Sequence, residues 1–207
     1  MKAIAFYDVT SSSFFNYIKF ARKFSLGTKG NPPYHIQTFM FDYENQVVLG
    51  TDGKAIAIYH LPEKHRFSEL VKSCMLRIEG KVLFAYDGEI LNYKRVYPEN
   101  AQKIELKLFD ETGKTHTISE FNLEGYYYSI KGLFELIRSM PVGVNVEYLE
   151  KMKGHSFTVH HTLDTPSRPV LFKESVSDSV KIKDGWVEVV IMPMRDEVYH
   201  DFSKKEM

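Results

Sequence analysis

Along most of the chain, short segments that either alternate apolar with polar positions or are almost wholly apolar read as strands, and in two places the period lengthens to that of a helix. The strand segments run over residues 2–9, 36–43, 46–49, 54–61, 75–78, 82–86, 104–109, 116–121, 144–149, 156–161, 170–172, 179–182 and 186–191. The first helical segment follows the capping serines Ser11, Ser12 and Ser13 and runs to about Phe24. It puts Phe14, Ile18 and Ala21 on one face and Asn16, Lys19, Arg22 and Lys23 on another. The second begins near Ser129, with Ile130, Leu133, Phe134 and Ile137 inward, Lys131, Glu135 and Arg138 outward, and Pro141 closing it. Phe67 to Cys74 reads as a further short helix.

Turn formers punctuate this pattern. Thr51-Asp52-Gly53 contains an Asp-Gly pair, a strong tight-turn signal, and Glu79-Gly80-Lys81 joins another two strands. The last strand ends at Pro193, which has no N–H for a ladder and is flanked by Met192 and Met194. Tyr93 to Asn100 reads as a connector, because Pro98 forces its predecessor to extend and the composition then turns polar. Each half is strand, helix, then antiparallel strands, which predicts an α+β protein with domains at 1–98 and 99–195 and a tail at 196–207.

At 207 residues and 43% hydrophobic, the chain is long enough for each half to hold a core. Lys and Arg number 27, as do Asp and Glu, so no surface-wide affinity for nucleic acid is expected, although a local basic stripe is allowed. Cys74 is the sole cysteine, which excludes an intrachain disulfide and fits a reducing compartment, so a cytoplasmic protein is expected, and since no stretch approaches membrane-spanning length no membrane partner is expected. The plain reading of each basic helix face is a solvated surface. His155, His160 and His161 with Asp164 offer the residue types of a metal-dependent hydrolase. On one strand, however, His160 and His161 point to opposite faces. Neither a Gly-x-Ser-x-Gly turn nor a glycine-rich phosphate loop is present, so no catalytic residue, cofactor or metal is assigned.

Three segments resemble, in order, the middle and last domains of the bacterial DNA polymerase sliding clamp. They are Thr51-Asp52-Gly53-Lys54, then Asn92-Tyr93-Lys94-Arg95-Val96-Tyr97-Pro98-Glu99-Asn100, then Val190-Ile191-Met192-Pro193-Met194-Arg195. The family's counterparts read Ala-Thr-Asp-Gly-His-Arg, Pro-Asp-Tyr-Arg-Arg-Val-Leu-Pro-Lys-Asn and Val-Met-Pro-Met-Arg. Glu174 to Ile182 is similar to the family's approach to its final strand. The chain departs from the pattern in having Ala55-Ile56 where the family often has Arg-Leu, and in continuing from Asp196 to Met207.

The resemblance implies a non-enzymatic processivity factor with the DNA-clamp fold: a closed ring, sheets outside and helices inside, encircling duplex DNA without regard to sequence. Lys19, Arg22, Lys23, Lys131 and Arg138 are then expected to face the DNA. The polymerase and the clamp loader are expected to dock short apolar tail motifs on Thr51, Gly53, Lys54, Ile56, Arg95, Val96, Met192, Pro193, Met194 and Arg195. Two domains per chain imply a homotrimeric ring, with a dimer as the other closed form, and a shortened clamp of this kind suits a bacteriophage.

Overall fold

A computed structural model describes residues 3–8, 14–25, 39–104, 106–109, 115–118, 121–122, 144–162 and 168–193. The helix expected near Ser129 and the tail from Asp196 lie outside the described residues. The chain divides into two units: Met1–Arg95 with Val176–Val189, and Val96–Ser175 with Val190–Met207.

In the first unit, β1 (Ala3–Asp8), β2 (Phe39–Asp42), β3 (Val47–Thr51), β4 (Ala55–His60), β5 (Cys74–Glu79) and β6 (Val82–Tyr86) lie in the order β1-β6-β5-β2-β3-β4. β13 (Trp186–Ile191) follows β4. The ladders between these six strands are antiparallel, as the short turns joining β2 to β3, β3 to β4 and β5 to β6 require of those three pairs. Residues directly opposite one another share a face, so Gly50 and Ala57 look one way, while Leu49, Ile58 and Met40 look the other.

Helix α1 (Phe14–Lys23) covers the Gly50 face. It approaches so closely that a Cβ on Gly50 would stand 1.8 Å from the Ala21 carbonyl oxygen. Ile18, Phe20, Ala21 and Phe24 are buried beneath it. The opposite face is covered by residues 88–95, where the Leu91 N–H donates to Met40 Sδ at 3.4 Å and Gly88 lies against Met75. With both faces covered, β2, β3 and β4 read as near-continuous apolar runs, and all but His60 among their residues are buried.

In the second unit, β10 (Phe121–Asn122), β11 (Ser156–His161) and β12 (Val170–Glu174) are neighbours, and β7 (Gln102–Ile104) also pairs with β11. β8 (Leu106–Phe109) and β9 (Thr115–Ile118) form a separate hairpin, so the single strand expected over 104–109 is two strands in two ladders.

Three further expectations are corrected. Residues 146–151 form a helix, α2 (Val146–Lys151), where alternation predicted a strand over 144–149. Asn145 caps it by accepting the Glu147 N–H at 2.9 Å, and a good cap outweighs the weak helix preference of Val146 and Tyr148. Residues 178–184 form α3 (Asp178–Asp184) rather than a strand over 179–182. Asp178 stands in its first turn, Lys181 and Lys183 in its last, and Gly185 ends it at φ +79. Between Phe67 and Cys74 only a 3-10 turn over Arg66–Glu69 forms, and Cys74 begins β5. His65 caps that turn, accepting the Phe67 N–H on Nδ1 at 3.1 Å, and burial holds its pKa below the ordinary histidine range. Cys74 is buried, and that burial pushes its thiol up to about 12, with Asp87 adding to the rise and Lys72 opposing it.

Candidate functional site

The expected basic face is present on α1. Lys19, Arg22 and Lys23 are exposed, opposite the buried Ile18 and Ala21, as an amphipathic helix on a sheet demands. Lys19 and Arg22 have no carboxylate within ion-pair distance among the described residues, and Lys23 Nζ stands 5.6 Å from the centre of the Phe20 ring. Lys131 and Arg138 lie outside the described residues.

The Thr51–Lys54 segment is a tightly bonded turn. Thr51 Oγ1 donates to the Ala55 carbonyl at 2.8 Å and accepts the Gly53 N–H at 3.0 Å. Asp52 Oδ1 accepts the N–H groups of Lys54 and Ala55, both at 3.0 Å. Gly53 sits at φ +88 with open space around its missing Cβ, so its requirement for glycine is one of backbone conformation. The two polar side chains thus spend themselves on the turn, leaving Lys54 exposed and Ile56 buried in β4.

Arg95 belongs to the first unit, exposed at the end of a 3-10 turn over Tyr93–Arg95. Val96, Met192 and Pro193 belong to the second unit. Val96 and Pro193 are half-buried, and Met192 is 39% exposed directly after the buried Ile191. Met194 and Arg195 lie outside the described residues.

The histidines divide as the strand alternation requires. Along β11, Phe157, Val159 and His161 are buried, while Thr158 and His160 are half-exposed on the other face. His160 Nε2 lies 3.0 Å from Thr158 Oγ1, and His155 Nδ1 lies 2.6 Å from Glu174 Oε1. The ring nitrogens of His161 are buried without a well-formed hydrogen bond among the described residues. Burial holds its pKa low, opposed in part by the Arg168 backbone. Asp164 lies outside the described residues.

No protein-family model matches this sequence, and no curated protein matches it by sequence. Its shape does have counterparts. Helicobacter pylori β clamp bound to carprofen superposes with a TM-score of 0.52 at 14% identity, covering 94% of this chain and 68% of that one. The same clamp bound to a DNA ligase peptide gives 0.50 at 15%, covering 94% and 67%. The C. crescentus β sliding clamp gives 0.50 at 13%, again covering 94% and 67%.

The fold is that of a sliding clamp. The chain spans about two thirds of the clamp subunits it matches. Within the sliding-clamp fold, one polar group in the first unit was invisible to sequence reasoning. Glu188, in the middle of the apolar last strand, is buried with Oε2 3.0 Å from His60 Nε2, and the His60 ring stacks on Trp186 at 4.0 Å and 6°. These partners lie 128 residues apart in the chain, so no local period reveals them. The signal that was available is a charged residue within an otherwise apolar strand, which must have a partner if it is buried.

Proposed function

We propose that this protein is a DNA sliding clamp, a non-enzymatic processivity factor that encircles duplex DNA and tethers its polymerase. The observation that carries the reading is the correspondence of 94% of the chain to bacterial β clamps, with α1 turning Lys19, Arg22 and Lys23 to solvent where the helices of such a ring would meet DNA. Cations on a helix surface hold phosphates loosely and without base information, which is the contact sliding needs. Exposed edge strands would be removed by pairing between copies of the chain, and two units per chain favour a homotrimer over a dimer. Lys131 and Arg138 would extend the basic lining.

The Helicobacter pylori clamp binds a DNA ligase peptide. By analogy, the polymerase and clamp loader of this protein would dock short apolar tails on Thr51, Gly53, Lys54, Ile56 and Arg95 of the first unit and on Val96, Met192, Pro193, Met194 and Arg195 of the second. Met192, flexible and polarisable, suits a surface shared by several tails. A cytoplasmic location and a bacteriophage source accord with this reading.

The test is topological. The protein is loaded onto nicked circular duplex DNA with a clamp loader, and the circle is then cut. A sliding clamp stays bound to the circle at moderate salt and is lost on linearisation. Retention that ignores the cut refutes encirclement.

A further inference from the structure

Tyr93 is followed by two exposed cations, Lys94 and Arg95, yet is itself only 8% exposed. Burial, and then the charges of Asp42 and Glu188, push its hydroxyl up to about 12. Its neighbours are tied down. Lys94 Nζ donates to Asn45 Oδ1 at 2.7 Å. Asn45 Nδ2 in turn donates to Asp42 Oδ2 at 2.5 Å, and Asp42 Oδ1 accepts the N–H groups of Glu44 at 3.1 Å and Asn45 at 3.3 Å. Two residues before Tyr93, the Leu91 N–H bonds Met40 Sδ.

The turn that carries Arg95 has little strength of its own. It spans three residues, and its Arg95 N–H reaches the Asn92 carbonyl at a long 3.4 Å. So short a 3-10 turn does not hold its geometry unaided. Its position is therefore set by what anchors the neighbouring residues of the turn: the burial of Tyr93 and the Lys94–Asn45 clasp.

We infer that Tyr93 and the Lys94–Asn45 clasp are positioning elements that hold Arg95 where it meets a docked partner peptide. This rests on the peptide-docking reading above. A pre-placed cation forms its contact without first ordering the backbone that bears it, so the clasp acts on affinity through Arg95. Lys94 itself, its amine already engaged with Asn45, contributes by anchoring.

The experiment measures binding of the ligase peptide recognised by the Helicobacter pylori clamp, using calorimetry or fluorescence anisotropy on the full chain. Arg95→Ala is expected to weaken binding about tenfold, and Lys94→Met and Asn45→Ala each about fivefold, the scale of one charge-assisted contact. Lys94→Arg, which keeps the donor, should bind within about twofold of the parent. The decisive comparison is Lys94→Met in the Arg95→Ala background: a positioning role predicts no further loss, whereas independent contacts or general loosening predict additive losses. Tyr93→Phe should retain binding and Tyr93→Ala should lose it. The clasp is overturned if Arg95→Ala weakens binding while Lys94→Met does not, or if the two losses add. If the parent protein binds no such peptide, the docking reading fails and this inference with it.

Discussion

Replacing Gly50 with alanine tests how α1 is seated. The new Cβ would lie 1.8 Å from the Ala21 carbonyl oxygen and 2.5 Å from its carbon. Both are backbone atoms, so no rotamer change relieves the overlap, and to restore even a 3.0 Å contact the helix must retreat by at least 1.2 Å. A gap of that size forfeits roughly a quarter to a half of the packing beneath the helix. Burial of Ile18, Phe20 and Phe24 is worth about 2 kcal/mol each, so the expected loss is about 1.5–3 kcal/mol. For a chain of this size that lowers Tm by about 5–10 °C. Urea unfolding followed by Trp186 fluorescence reads it directly, since Trp186 belongs to the same unit. Gly80→Ala is the comparator: Gly80 sits at φ +60 with nothing near its missing Cβ, so only backbone strain of about 1 kcal/mol is expected there. If Gly50→Ala costs no more than Gly80→Ala, the helix does not rest on β3 as described. DNA retention should fall in Gly50→Ala as well, because Lys19, Arg22 and Lys23 move with the helix.

Replacing Lys19, Arg22 and Lys23 together with alanine should weaken retention on DNA and flatten the slope of log affinity against log salt by up to about 2–3 for each subunit of the ring, with the oligomeric state unchanged in light scattering. Acid should destabilise the protein through His65 and His161. Both have folded-state pKa values below the unfolded value near 6.5, so the unfolded chain binds protons first as the pH falls. Stability is therefore level above about pH 6.5 and declines below it, and an unchanged urea midpoint between pH 7.5 and 5.5 would contradict the burial of both rings. His60→Ala removes one hydrogen-bond partner of the buried Glu188 carboxylate and the ring stacked on Trp186, and should cost about 1–2 kcal/mol in urea unfolding. Met192→Ala should weaken ligase-peptide binding while leaving passage over DNA intact; equal binding would remove Met192 from the peptide surface.

Segments whose local and long-range preferences agree were legible from sequence. α1 has a capping stretch, an apolar stripe and a basic face, and the Asp52-Gly53 turn carries its own hydrogen-bonding instructions. The segments that misled are those where a cap outweighs a period. Val144, Val146 and Tyr148 alternate like a strand, yet Asn145 starts a helix. Ser179 to Ile182 alternates too, but α3 buries none of its residues and is held by its end charges, by Gly185 and by the Glu63 N–H and Tyr59 hydroxyl, which donate to the Ile182 and Asp184 carbonyls. The return of residues 176–189 to the first unit, and the meeting of His60 with Glu188, depend on contacts more than a hundred residues apart, which no window of sequence contains. Of the candidate site, the Thr51–Lys54 turn and the exposed cations could be anticipated one residue at a time. The burial of Tyr93 could not, since it depends on which face of the sheet the connector crosses.

The inert thiol of Cys74 has a practical use. With its sulfur sealed inside the fold and almost wholly protonated near neutrality, it will not compete with a cysteine engineered at the surface for maleimide dyes or bifunctional crosslinkers. The natural chain is thus already a clean background for single-site labelling. Fluorophores or covalent bridges can be installed at chosen edges to count subunits and to watch them part, without first removing a native residue from the core.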